Sequence, residues 1–500
     1  MKQEKKKIIT VLLSIMPMLC SWYPKLRLPK LYYNPAAEFS STSRSDFSVK
    51  NLRKPECPKS LYPPPNQSVA AIVFGDGSSH SRLYPLTKRR SESAIPIAGN
   101  YRLIDAVISN CINSSGSIAK IYVITQFNSN SLNSHISRAY NLSGGGRSSD
   151  EGLVEVIAAY QSPEHNDWFQ GNADAIRRCL WLLEEYPVAE FLILPGHHLY
   201  KMDYQKLIDV HRRSVADITV SVFGRTPNED FGFGIFKINA ENQVLEFIEN
   251  SETINTISVE KKLVNFDENV TYNLPSMGIY VINRDTMINL MTQHFPTVND
   301  FKSQLIPGAI SLGMKIHAYG FDGYWEDMRN ISAYYCANME ILRKPNKSSR
   351  FYDRDSPIYT LPRRLPPTLV THATIIDSFI GDGCILGKCR IKGTVVGMRT
   401  VVRDNAVIED SVLMGSDHYH HDNGGKREGE AGGIGIPVGI GEGSYIRKAI
   451  VDKNARIGRN VMIINKDSVV EGNMEANGYI ISGGIIVIIR SAVISDGSII

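Results

Sequence analysis

The chain has 500 residues, of which 43% are hydrophobic and 21% charged, and it carries seven cysteines. That length exceeds one ordinary domain, and the composition is that of a folded globular protein rather than a disordered or collagen-like one. The net charge of +4 is concentrated: residues 1–54 hold 11 Lys and Arg against 3 Asp and Glu, so the body of the chain is mildly acidic, which argues against nucleic acid as a partner.

Residues 1–55 read as a targeting segment. Lys2 and Lys5–Lys7 precede the 13-residue apolar stretch Ile8–Cys20, which is too short to span a bilayer, so no membrane partner is expected. Two readings fit this segment. A basic start with an apolar core suits a secretory signal, whereas the acid-poor continuation with Ser40, Ser41, Ser43, Arg44 and Ser45 suits an organelle transit peptide. The cysteines form no CxxC pair; Cys384 and Cys389 are the nearest neighbours, and buried reduced thiols are expected for most of them. Cys57, in a Pro-rich stretch, is either a surface thiol or half of an inter-subunit disulfide.

From 68 to 342, apolar runs of strand length alternate with helical patterns. Val69–Phe74 is a buried-type strand opening into a Gly-rich loop, and Ile121–Thr125 and Phe191–Leu194 are similar. Asp174–Glu185 carries Ala175, Ile176, Leu180 and Leu183 at helical spacing and is predicted as one helix. Such alternation predicts an α/β domain with a mostly parallel sheet, its ligand site at the carboxyl ends of the strands. Residues 343–368, with Pro345, Pro357, Pro362, Pro366 and Pro367, form a linker.

From 369 to 500 a six-residue beat takes over. It runs through Ile380, Leu386, Val396, Val402, Ile408 and Met414, then through Ile440, Ile446, Val451, Ile457, Ile463 and Val469. A hexapeptide period is the signature of a left-handed parallel β-helix; a β-sandwich would show spacings of about 8–12 residues. The Gly-rich loop 416–435 interrupts the beat. Its His418, His420, His421 and Asp422 admit a metal site, but with no element to fix them a solvated loop is the expected state.

Several stretches, in this order, resemble plant-type ADP-glucose pyrophosphorylase small subunits. They are Arg82–Lys88, Asn100–Asp105, Trp168–Gly171, Ser276–Tyr280, Gly323–Asp327, Ile450–Gly458 and Ile463–Asp467. The resemblance spans Val69 to Ile500. It implies a Rossmann-like nucleotidyltransferase domain followed by the β-helix, a plastid location, and heterotetramers with large subunits. It also implies a reaction in which glucose 1-phosphate attacks the α-phosphorus of ATP, giving ADP-glucose and pyrophosphate for starch synthesis. Two polyanionic reactants need cations, backbone N–H donors and Mg²⁺.

Carried onto this chain, the family pattern assigns Arg82, Gly75, Gly77, Gln170, Gly171 and Gly196 to the nucleotide, and Gly234, Glu249 and Ser276 to the sugar phosphate. It assigns Asp327 to Mg²⁺, and Arg102, Arg447, Lys448 and Arg490 to an allosteric phosphate site. Four positions depart from the pattern. Asp76 puts a carboxylate into the Gly-rich loop, and Glu92 replaces a phosphate-binding Lys. His197 replaces the metal-holding Asp, and Asn250 replaces the Lys that grips glucose 1-phosphate. A like or unpaired charge at a buried polyanion site costs about 2–5 kcal/mol, and imidazole is a poor ligand for hard Mg²⁺. A solvent-exposed Glu92 would be harmless. Two functions therefore stand side by side: a small-subunit-like enzyme of low intrinsic activity with weakened Mg²⁺ binding, and a non-catalytic subunit of the same assembly. An acyltransferase built on the β-helix alone would leave residues 68–342 unexplained.

Overall fold

The computed structural model describes residues 68–76, 82–114, 116–140, 153–159, 167–224, 234–249, 271–342, 353–419 and 435–500. The targeting segment, Cys57, Gly77, Asn250, His420, His421 and Asp422 lie outside these residues. Among the described residues, no helix is long and apolar enough to cross a membrane.

The strand Val69–Phe74 lies at the centre of the first domain. It pairs in parallel with Ile118–Thr125 on one side and Glu190–Pro195 on the other, and Val154–Ala158 extends the sheet in parallel. The long strand Tyr272–Asn283 runs antiparallel to Glu190–Pro195 and carries the rest of the sheet. Successive side chains of a strand point to opposite faces. Ala70 and Ile72 accordingly enter one hydrophobic core while Val69, Ala71 and Val73 enter the other. Burial on both faces is why this strand is apolar throughout. The parallel strands end together at Phe74, Thr125 and Pro195, and these three ends wall one cleft.

The single helix expected over 174–185 is two, Asn172–Arg178 and Leu180–Glu185. The break falls at Cys179, whose N–H is shared between the carbonyls of Ala175 and Ile176, a tightened turn. Ala175, Ile176, Leu180 and Leu183 still reach one core, so the apolar spacing held while the backbone changed pitch.

Residues 353–368 are strapped along the first domain. Asn113 donates to the Pro357 carbonyl at 2.8 Å, the Tyr359 N–H to Ser109 at 2.8 Å, and Thr360 to Asp105 at 2.7 Å. Asp105, fully buried, also accepts from His135 at 2.6 Å and Tyr140 at 2.7 Å, so one carboxylate ties the strap to two helices.

Three parallel sheets then close into a β-helix. Leu386, Ile391, Val396, Val402, Ile408 and Leu413 line its interior. Where no insertion intervenes, partners in register lie 16 or 17 residues apart, as in Leu386–Val402 and Ile391–Ile408, so some sides are five residues long rather than six. Two residues on the expected beat miss the interior, Met414 at such a side and Val469 where the chain leaves the coil before Ile485. Leu413 takes the inward place while Met414 packs outward, and Val469 is exposed. Cys384 and Cys389 are buried thiols in this core.

A separate apolar cluster joins the domains. Leu83, Leu86, Leu103, Leu199, Tyr334 and Ile341 meet Val395, Val412, Met414, Ile450 and Val487. Polar ties flank it: Arg90 pairs with Asp452, Lys88 with Glu475, and Tyr84 donates to Glu475 at 2.6 Å.

Candidate functional site

The cleft at the strand ends has a volume of about 380 Å³. Gly75 and Gly196 lie between lining residues, Phe74 and Asp76 on one strand end and Pro195 and His197 on the other, and pack by close backbone contact. Gly196 donates to the Phe74 carbonyl at 2.9 Å, and a Cβ at Gly196 would run into that same carbonyl. A Cβ at Gly75 would lie 2.8 Å from Leu132. At Gly171 it would strike the Asn299 backbone, so all three positions need glycine for space. One wall is aromatic: Phe127 and Trp168 pack edge to face at 5.6 Å, and Phe169 lies beneath the Arg178 guanidinium at 5.8 Å. Gln170 and Gly171 continue this wall.

The opposite wall carries the charges. Asp76 lines the cleft and accepts from the Gln126 N–H at 3.2 Å, an amide that would otherwise be open to an anion. Burial pushes its carboxyl up to about 6, against the hydrogen bonds from Gln126 and Ser91. His197 follows Gly196 at the strand end. A two-stranded ribbon places His198 opposite Asp327, so the three side chains converge. Arg82 donates to His197 Nε2 at 3.2 Å and lies 3.8 Å from Asp327. Burial, with the Arg82 charge, pushes His197 down to about 3, so it is a neutral imidazole at physiological pH. Asp327 is pushed up to about 6 by burial, with Arg82 pulling the other way. The Trp325 indole donates to His198 Nδ1 at 3.3 Å, which leaves the proton of neutral His198 on Nε2, facing Asp327 Oδ1 at 3.5 Å.

Glu92 is not solvent-exposed. It sits in the short helical turn Glu92–Ala94, 5% accessible, with its carboxylate 3.8 Å from His197 Nδ1. The harmless alternative for this substitution is therefore removed. Gly234 and Ser276 are held together by a backbone hydrogen bond of 3.0 Å, and Gly234 has φ +73°, which suits glycine. Glu249 is exposed at the end of its strand and does not line the described cleft.

A nucleotidyl transferase family model matches residues 70–344, and a GLGC left-handed parallel beta-helix domain model matches residues 363–499. An Arabidopsis thaliana protein named inactive glucose-1-phosphate adenylyltransferase small subunit 2, chloroplastic, is 56% identical over 459 residues, covering 91% of this chain and 94% of that protein. The chain belongs to the glucose-1-phosphate adenylyltransferase small-subunit family. A Triticum aestivum glucose-1-phosphate adenylyltransferase small subunit, chloroplastic/amyloplastic, is 47% identical over 466 residues, covering 92% of this chain and 97% of that protein. The fold expected from the strand–helix alternation and the hexapeptide beat is the fold of this family.

The four basic residues assigned to an allosteric site in this family member fall in two places. Arg490 bonds Asp417 at 2.8 Å, and Arg102 lies close enough to feel the same carboxylate. Arg447 and Lys448 line a different hollow with Tyr335, Asp377 and Asp410. The first place holds two cations that sequence reasoning missed, Lys453 and Arg363. Lys453 bonds Asp417 at 2.7 Å, and burial lowers its ammonium to about 8, with Arg102 and Arg363 adding to the depression. Both lie far from Arg102 in sequence, and Lys453 sits in a stretch that marks the family, which was the available signal.

Proposed function

We propose that the chain is a plastid small-subunit-type member of the ADP-glucose pyrophosphorylase assembly that pairs with large subunits and has low intrinsic turnover of ATP and glucose 1-phosphate. The observation that carries this reading is the donor set at the catalytic end of the cleft: two buried imidazoles, His197 and His198, and one carboxylate, Asp327. Mg²⁺ asks for oxygen ligands in near-octahedral geometry. One carboxylate, already facing Arg82, does not supply them, and the His198 lone pair is engaged by Trp325. The set does not fit Mg²⁺, and no catalytic step is derived through it.

The remaining residues support the same reading. Asp76 and Glu92 set negative charge where the reaction gathers the phosphates of two substrates, and preorganised positive charge is the main source of rate in such transfers. Gln170 and Gly171 line the cleft, Gly234 and Ser276 keep the residue types of the family pattern, and an apolar joint holds the domains together. What supports a role in assembly is this intact frame around an altered centre.

The test is pyrophosphorolysis of ADP-glucose by the purified chain, alone and with a large subunit, beside a wheat-type small subunit. Turnover below a hundredth of that control is expected. Turnover comparable to it would overturn the proposal. Unaltered assembly with the large subunit, read by size-exclusion chromatography, separates lost chemistry from lost folding.

A further inference from the structure

We infer that this cleft ranks ligands inversely to their phosphate charge: adenosine above AMP, and AMP above ADP and ATP. The inference rests on the reading above, that this is the adenylate cleft of the family fold, and specifies what the altered cleft holds.

The cleft has two chemically different halves. The base-facing half is Phe127, Trp168 and Phe169, with the close backbone at Gly171. Aromatic walls hold a purine by stacking and apolar contact, and this needs no phosphate.

The phosphate-facing half opposes its ligand. Asp76, Asp300 and Asp327 present carboxylates in or beside the cleft, and Glu92 stands behind His197. Among the described lining residues the cations are Arg82 and Lys302. Arg82 is directed at Asp327 and His197, and the Lys302 charge also acts on Asp327. The Gln126 amide accepts no newcomer while Asp76 holds it. A phosphate entering here must displace one carboxylate from a backbone donor and compete with another for a guanidinium. A nucleoside does neither. A divalent cation helps only by cancelling charge on the nucleotide that carries it, because the cleft offers it a single carboxylate beside Arg82.

One extra unit charge, about 6–8 Å from an uncompensated carboxylate at an effective dielectric of about 20–40, changes affinity by roughly tenfold. At pH 8 the first phosphate brings about two charges and each later one brings about one, so binding should weaken by roughly a hundredfold from adenosine to AMP and by roughly tenfold per phosphate after that, while Mg²⁺ bound to ATP cancels two charges and should return it to about the level of AMP.

The experiment is isothermal calorimetry on the full chain at pH 8 and low salt, with adenosine, AMP, ADP and ATP, each in Mg²⁺ and in EDTA. The expected result is tightest binding of adenosine, roughly hundredfold weaker binding of AMP, a further weakening of roughly tenfold for each later phosphate, and Mg²⁺-bound ATP no tighter than AMP. In an Asp76→Asn, Glu92→Gln double variant the gap between adenosine and ATP should narrow by tenfold or more. Free ATP binding as tightly as AMP, Mg²⁺-bound ATP binding more tightly than AMP, or binding of none of the four would overturn the inference. Tight ATP binding without turnover would sink this inference alone, whereas turnover at the rate of an intact small subunit would sink the proposal beneath it.

Discussion

Replacing Asp76 by Asn should stabilise the protein by an amount that grows as pH rises from about 4 and levels off above about 6. The folded chain raises the Asp76 carboxyl from 3.8 to about 6, mainly by burial. The fold thus favours its protonated form. The stability this group contributes is present in full below about pH 4 and is lost as pH rises through about 6. Roughly two pKa units correspond to about 3 kcal/mol at pH 8. Asn keeps the shape and the acceptor for the Gln126 N–H but carries no charge. For a folded unit spanning Ser60–Ile500, about 3 kcal/mol moves the thermal midpoint by about 3 °C. Thermal unfolding should place the variant about 3 °C above the parent at pH 8, with the gap roughly halved at pH 5. A gap that does not change with pH, or a parent more stable than the variant at pH 8, would refute the placement of this carboxylate in a desolvated wall.

Other expectations follow from the same geometry. Restoring His197→Asp alone should leave pyrophosphorolysis below about a tenth of an intact small subunit, because Asp76 and Glu92 each still cost about 2–5 kcal/mol at a phosphate site; full recovery would show that the metal position alone sets the rate. Gly196→Ala should destabilise the chain by more than about 2 kcal/mol, because the new methyl meets the Phe74 carbonyl, and an unchanged thermal midpoint would show that the strand end yields. Asp105→Asn should cost about 3 kcal/mol by taking the anionic acceptor from buried His135, with earlier proteolysis of the strap at 353–368 as its readout. For Asp105, burial works to raise the carboxyl, but His135 and Thr360 outweigh it and hold it below the ordinary value. Its stabilisation is lost as pH falls through that depressed pKa, the opposite direction from the Asp76 effect.

Elements that bury both faces, or repeat, were legible in the sequence, because their period is imposed by local geometry. Val69–Phe74 reads as a strand from its unbroken apolar run, and the β-helix reads from its beat. The beat misled at Met414 because a corner shortens one side to five residues, and at Val469 because the chain leaves the coil between Ile463 and Ile485, where the antiparallel strands Gly472–Met474 and Tyr479–Ser482 are inserted. The helix break at Cys179 was hidden for a related reason: the four apolar positions serve the same core with or without it. At the site, the altered positions stood out against the family pattern, and the structure adds how they meet. The burial of Glu92 against His197, the Trp325 bond that fixes the His198 tautomer, and the gathering of Lys453 and Arg490 on Asp417 all join residues distant along the chain. Contacts of that kind have no local sequence signature.

The segment from Arg82 to Arg90 begins in the cleft and ends bolted to the β-helix through Lys88, Tyr84 and Arg90. None of those three fastenings uses Asp76, Glu92 or His197. The joint between the two domains is therefore fastened by side chains other than the altered ones, so a change at those three positions can leave the bolts in place.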